Sequence, residues 1–133
     1  MESSSLPLHP ALEALATLDG RAIASSWSAP CEALFEALVE FDSEELGRVI
    51  DSRRLKTADL TFAAEILGRS SDSNLVRETV LPLLLHPDAV VREGAIYGLR
   101  SHLDPLGRQA LAELGARDTS VAVRRAAQDA TTS

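Results

Sequence analysis

The sequence predicts an all-α protein built as a short solenoid of antiparallel helix pairs, and three observations carry that prediction. The first is an echo: Val91, Arg92 and Ala95 return thirty-two residues later as Val123, Arg124 and Ala127, and Ala63 and Leu67 stand thirty-two residues before Ala95 and Leu99. A period of that length is the mark of stacked supersecondary units. The second is composition. Hydrophobic residues make up 45% of the chain but aromatics only 4%, and the Ala and Leu that dominate suit close-packed helices better than sheets. The third is punctuation: Gly, Pro and short polar turns fall between periodic segments, and no segment alternates at period two over a useful length.

Residues 1–8 read as a flexible leader. From Pro10 the segment around Leu12, Leu15 and Leu18 is helical, and Asp19-Gly20 breaks it. Residues 21–27 form a connector whose Trp27 caps the first helices. Ser28-Ala-Pro opens the clearest early helix, with Pro30 tolerated in its first turn. Cys31, Leu34, Phe35, Leu38 and Phe41 make its apolar stripe, and Glu32, Glu36 and Glu40 line the far side at i, i+4, i+8. Asp42-Ser43 caps the next helix, which carries Leu46, Val49 and Ile50 and ends near Arg53-Arg54.

Thr57 is the expected cap of the third, with Leu60, Ala63, Ala64 and Leu67 inward and Gly68 just past its end. After the polar hinge at 70–73, a helix from Ser73 to Leu85 contains Pro82, so a kink or an early stop is expected there. His86-Pro87-Asp88 is a turn into a helix ending between Leu99 and His102. Asp104-Pro105 starts the next, with Leu106, Ala110, Leu111 and Leu114 apolar and Gly115 closing it. Asp118 or Ser120 caps the last helix, which frays at 131–133. Connections this short make consecutive helices antiparallel neighbours.

The net charge is −7 and is unevenly spread. Residues 1–67 hold 12 acids and 5 bases, whereas residues 68–133 hold 8 of each. A nucleic-acid binder presents a basic face, so DNA and RNA are not expected partners. The single Cys31 allows no internal disulfide and no thiolate metal site. No apolar run is long enough to span a membrane, and the Met-Glu-Ser-Ser-Ser start lacks the order of a signal peptide; a cytoplasmic protein is expected. Twelve of the thirteen basic residues are Arg, a bias that suggests a bacterial source.

A turn carboxylate, then Val-Arg, then Ala three residues on and Leu four beyond that, resembles the second half of a HEAT repeat. The pattern is fullest at Pro87, Asp88, Val91, Arg92, Ala95 and Leu99. It is good at Asp118, Val123, Arg124 and Ala127, where Thr131 replaces the Leu, and degenerate at Asp59, Leu60, Ala63, Leu67 and Gly68. The similarity covers about residues 57–131. The resemblance implies an armadillo-like, right-handed α-solenoid (an α-α superhelix) of three to four helix pairs over residues 9–133. It also implies that Asp88, Arg92, Asp118 and Arg124 bridge adjacent repeats. Gly94 and Gly98, beside Ala95, each cost a helix about 1 kcal/mol relative to Ala, which close packing of a neighbouring helix would offset.

Nothing in the chain rises to a catalytic motif. His9, His86 and His102 show no metal-ligand spacing, and His102 at a helix end suits the helix dipole. There is no GxSxG and no phosphate loop, so no catalytic residue, metal or cofactor is expected, and Cys31 reads as a buried small hydrophobe. Solenoids offer extended binding surfaces, and a non-catalytic protein-binding module is the leading expectation. Six carboxylates lie between Glu32 and Glu45, with no base from Arg21 to Arg48. A basic protein would supply the missing countercharge. The expected contacts are Glu32, Glu36, Glu40, Glu44 and Glu45, with Arg92, Tyr97 and Arg124. Alternatives are an immunity-type inhibitor of a basic toxin or nuclease, or, by the resemblance, a lyase subunit or a DNA glycosylase-like enzyme; the last needs a basic groove. A homodimer through a solenoid end is a further possibility.

Overall fold

The structure, a computed structural model, describes residues 28–132. The expectations for the leader, the helix from Pro10, His9 and Trp27 lie outside the described residues. Among those described there are seven α-helices, one 3₁₀ segment and no strand. The helices are α1 (Ser28–Phe41), α2 (Ser43–Asp51), α3 (Thr57–Leu67) and α4 (Ser73–Val80), the last followed by the 3₁₀ segment Leu81–Leu85. Then come α5 (Ala89–Leu99), α6 (Pro105–Arg117) and α7 (Val121–Thr132).

Most boundaries follow from capping chemistry. The carboxylates of Asp42, Asp72, Asp88 and Asp104 accept from the backbone N–H groups of Glu45, Leu75, Val90 and Gly107, which a helix start would otherwise leave unbonded. Ser120 does the same for Val123. Pro82 produces the early stop: it lies in the first turn of the 3₁₀ segment, where its missing N–H costs no hydrogen bond. Three expectations are corrected. Lys56, not Thr57, is the N-cap of α3, and it makes no side-chain cap. α2 stops at Asp51, because Arg53 takes the left-handed conformation (φ 63°) that ends a helix. Gly115 does not close α6, which runs on to Arg117; it sits buried against Gln128 of α7, whose Nε2 donates to its carbonyl at 2.8 Å.

The odd-numbered helices pack in chain order, α1 on α3, α3 on α5 and α5 on α7. The even-numbered helices lean on them: α2 lies against α1, α3 and α4, α4 with its 3₁₀ extension lies against α5, and α6 lies against α7. The period in the sequence is the register of the odd row. Ala63, Ala95 and Ala127 are all fully buried, as are Val91 and Val123 and, one turn on, Leu67 and Leu99. Thirty-two residues before Ala63 stands Cys31, also fully buried, with Phe35 where the leucines stand. Burying these side chains, about 1.5–3 kcal/mol each for the larger ones, is what holds the row together.

The tightest seam joins α3 to α5. A Cβ on Gly94 would lie 2.6 Å from Thr61 Cγ2 and 2.9 Å from Thr61 O, and one on Gly98 would overlap Ala64 O. Gly68 abuts the Gly98 backbone. It also has an ordinary right-handed conformation (φ −60°), so space rather than backbone freedom requires a glycine there. Polar ties reinforce the stack. His102, buried, bonds Gly68 O through Nε2 (2.8 Å) and Ser73 Oγ through Nδ1 (2.7 Å). Arg77 donates to His102 O and pairs with Asp104. Two apolar assignments do not hold: Phe41 is 81% exposed, because the chain turns at Asp42 just as that helix face runs out, and Leu106 is exposed at the start of α6.

Candidate protein-binding surface

The acidic run from Glu32 to Glu45 does not form one ridge. The turn at Asp42 resets the helical register, so the i, i+4 spacing of α1 does not carry into α2. On α1, Glu32 is half-buried, and Glu36 and Glu40 are exposed. Arg69 approaches Glu36 at 3.5 Å from just beyond α3. Asp42 is consumed as a cap. Glu45 is only 5% exposed, and its carboxylate accepts from Arg48 Nε at 2.9 Å. The expected contact residue Glu45 is thus buried and paired within its own helix, with the Arg48 end of the pair half exposed. Glu44 faces α4 across a crevice of the even row.

The two arginines are also structural. Arg92 Nε and Nη2 each lie 2.9 Å from an Asp118 carboxylate oxygen, a two-pronged bridge from α5 to the turn before α7. Its Nη1 donates to His86 O and Pro87 O. The Arg92 guanidinium is thus engaged within the chain, in the bridging position that the resemblance implies. Burial pushes the Asp118 carboxyl up, but bonds from Arg92 and the Ser120 N–H, with the charges of Arg92 and Arg124, outweigh it and hold the group below its ordinary value. Arg124 donates to Asp118 O at 2.6 Å, repeating the Arg92–His86 bond thirty-two residues on. His86 and Asp118 are therefore equivalents, as are the caps Asp88 and Ser120, and Asp88 caps its own helix without bridging repeats.

Tyr97 lies in a groove. Between α3 and α5 a depression of about 210 Å³ is lined by Thr61, Glu65, Val90, Glu93, Gly94 and Tyr97. The Tyr97 hydroxyl donates to Glu93 Oε2 at 2.9 Å, and the Arg100 guanidinium sits 5.5 Å from the centre of its ring. That hydrogen bond, then burial, then the charges of Glu93 and Glu65 raise the Tyr97 hydroxyl above its ordinary value, so it stays a neutral donor. Val90 is 53% exposed at the edge. Of the expected contacts, only Tyr97 is brought to this groove. Glu65, Val90 and Glu93 were missed, although Val90, Glu93 and Tyr97 share one helix face by spacing alone.

Cys31 is fully buried, and burial, followed by the charge and hydrogen bond of Asp59, pushes its thiol up to about 11, which disfavours the thiolate at neutral pH. Among the described residues no grouping of His, Cys, Asp or Glu could hold a metal ion, and no helix is long and apolar enough to cross a membrane. No family model matches the chain, and neither a curated protein nor a solved structure does.

Proposed function

We propose that the chain is a non-catalytic helical-repeat module, a short right-handed α-solenoid of the HEAT type, that binds a protein with a basic surface. The repeat reading is supported by the odd row, in which residues thirty-two apart share one buried position and are tied by equivalent arginine bonds. The binding reading is carried by one observation: Tyr97 and the exposed Val90 stand at a groove edged by Glu65 and Glu93. An aromatic ring with a polar tip beside apolar surface is the usual anchor of a protein contact. The flanking carboxylates, with Glu32, Glu36 and Glu40 on α1, set the sign of the partner's charge and speed its approach.

The test is capture from a lysate of the native cells on immobilised protein, at low and at high salt. A basic protein retained at low salt, released at high salt and lost with Tyr97→Ala and with Glu65→Lys/Glu93→Lys is the expected result. Retention indifferent to salt and to both variants overturns the reading, as does turnover of a substrate by the purified chain alone.

A further inference from the structure

On the even row, α2 and α4 border a crevice of about 240 Å³ that none of the contacts above uses. Gly47 opens it: a Cβ there would come within 3.2 Å of Leu75 Cδ1 and 3.4 Å of Thr79 Oγ1. Three carboxylates line it, Glu44 and Asp51 from α2 and Glu78 from α4. Among the described residues the one lining cation, Arg48, is bonded to Glu45; its charge also reaches Glu44 and that of Arg53 reaches Asp51, but the lining keeps more carboxylates than cations. Desolvation raises the Asp51 carboxyl despite the charge of Arg53, so a cation beside it would be favoured.

Thr79 points to a ligand independently of these charges. It is 4% exposed and lines the crevice, yet its hydroxyl has no hydrogen-bond partner among the described residues. A helical threonine ordinarily returns its hydroxyl to the carbonyl four residues back. Thr61 and Thr131 do so here, to Thr57 O and Ala127 O. Thr79 does not, and a buried hydroxyl left unbonded is destabilising.

We infer that the α2–α4 crevice receives the side chain of a lysine or arginine from a protein partner. Its apolar stem lies along Leu75, its charged head meets Glu44, Asp51 and Glu78, and one of its N–H groups donates to Thr79 Oγ1. This goes beyond the α3–α5 groove: it names a second contact on the other row of helices, and each can fail without the other.

The experiment is an amide ¹H–¹⁵N titration of the full chain with N-acetyl-arginine methylamide and N-acetyl-lysine methylamide, with the uncharged citrulline derivative and putrescine alongside. Saturable shifts centred on Gly47 and Thr79 are expected for at least one of the two basic probes and none for citrulline. Thr79→Val and Glu78→Gln should each weaken binding at least threefold, whereas Glu113→Gln, which removes an equal charge from α6, should not. Far-UV circular dichroism shows whether each variant keeps its fold, and Glu78→Gln, an exposed site, carries the test alone if Thr79→Val does not. No saturable shift, equal shifts with citrulline, tighter binding of putrescine than of both side-chain probes, or binding untouched by the folded variants overturns the inference. A failed titration leaves the groove reading standing, because that reading is tested through Tyr97.

Discussion

Between α3 and α5 the backbones touch, whereas between α2 and α4 a gap remains, and a glycine stands at both seams. On the α3–α5 side the atoms nearest Gly94 and Gly98 include rigid backbone, Thr61 O and Ala64 O. On the α2–α4 side the atoms nearest Gly47 are side-chain tips, Leu75 Cδ1 and Thr79 Oγ1. At Gly98 the first seam is closed backbone against backbone, although a groove of about 210 Å³ stays open beside Gly94; at Gly47 the second is closed only by side-chain tips. A small residue therefore does not by itself report function or structure; what it faces does.

The comparison breaks most easily at Gly98. A methyl group there overlaps a carbonyl that cannot rotate away, so α3 and α5 must separate and open the most buried part of the core. Gly98→Ala should cost about 3 kcal/mol despite the better helix propensity of alanine, a fall in Tm of about 10 to 15 °C in thermal unfolding. A neutral result would mean that the seam is looser than drawn.

The buried polar groups divide in the same way. Asp118 is satisfied by Arg92 and Ser120, whereas Thr79 has no partner among the described residues. Arg92→Met leaves a buried carboxylate without its main partner and should cost about 2–3 kcal/mol in urea unfolding at pH 7. The pH dependence has a definite sign. The folded-state value of Asp118 lies below its ordinary 3.8, so its contribution is present above about that pH and is lost as pH falls through the lowered value. The gap between the native protein and Arg92→Met should therefore close at the acid end. A gap constant down to pH 2 would show that Arg92 acts by packing alone.

Thr79→Val keeps the shape of the side chain and removes the unbonded hydroxyl. Where Arg92→Met destabilises, this change should stabilise the free protein by about 1 kcal/mol while weakening the basic probes. Loss of stability would mean that the hydroxyl has a partner.

How much of this was legible in the sequence follows from the kind of signal each feature leaves. The all-α class, the cap at Asp42 and the inward places of Ala63, Ala95 and Ala127 are local or periodic, and a chain carries them on its face. Cys31 and Phe35 occupy the same register but break the pattern, because a thiol and a ring replace the alanine and the leucine. Glu45 counts with the surface acids in the sequence because a run of carboxylates does not show which side of α2 meets the core, where Glu45 is buried. Tyr97 can be placed on a helix face from its spacing, but Glu65 cannot be placed beside it, since which faces of α3 and α5 meet is settled by packing between helices. The crevice left no trace at all: Asp51 and Glu78 stand far apart in the chain, and a hydroxyl without a partner can be recognised only once every neighbour is known.

The smallest expected effect is also the sharpest test of the contrast between the seams. Gly47→Ala makes in α2 the change that Gly98→Ala makes in α5. Its Cβ meets Leu75 Cδ1 at 3.2 Å, closer than comfortable, but Leu75 is partly exposed and a small rotation of its side chain relieves the contact. The helix meanwhile gains up to about 1 kcal/mol from losing a glycine, so the net change should be a gain of about 0.5 kcal/mol, read as a Tm raised by about 2 °C. One substitution thus has opposite signs at two seams, because one faces backbone and the other a side chain that can move. The same methyl narrows the crevice where the stem of a basic side chain would lie. If the seams differ as described, Gly47→Ala should raise stability and lower affinity for the arginine probe together; a loss of both would make the α2–α4 side as tightly packed as the α3–α5 side.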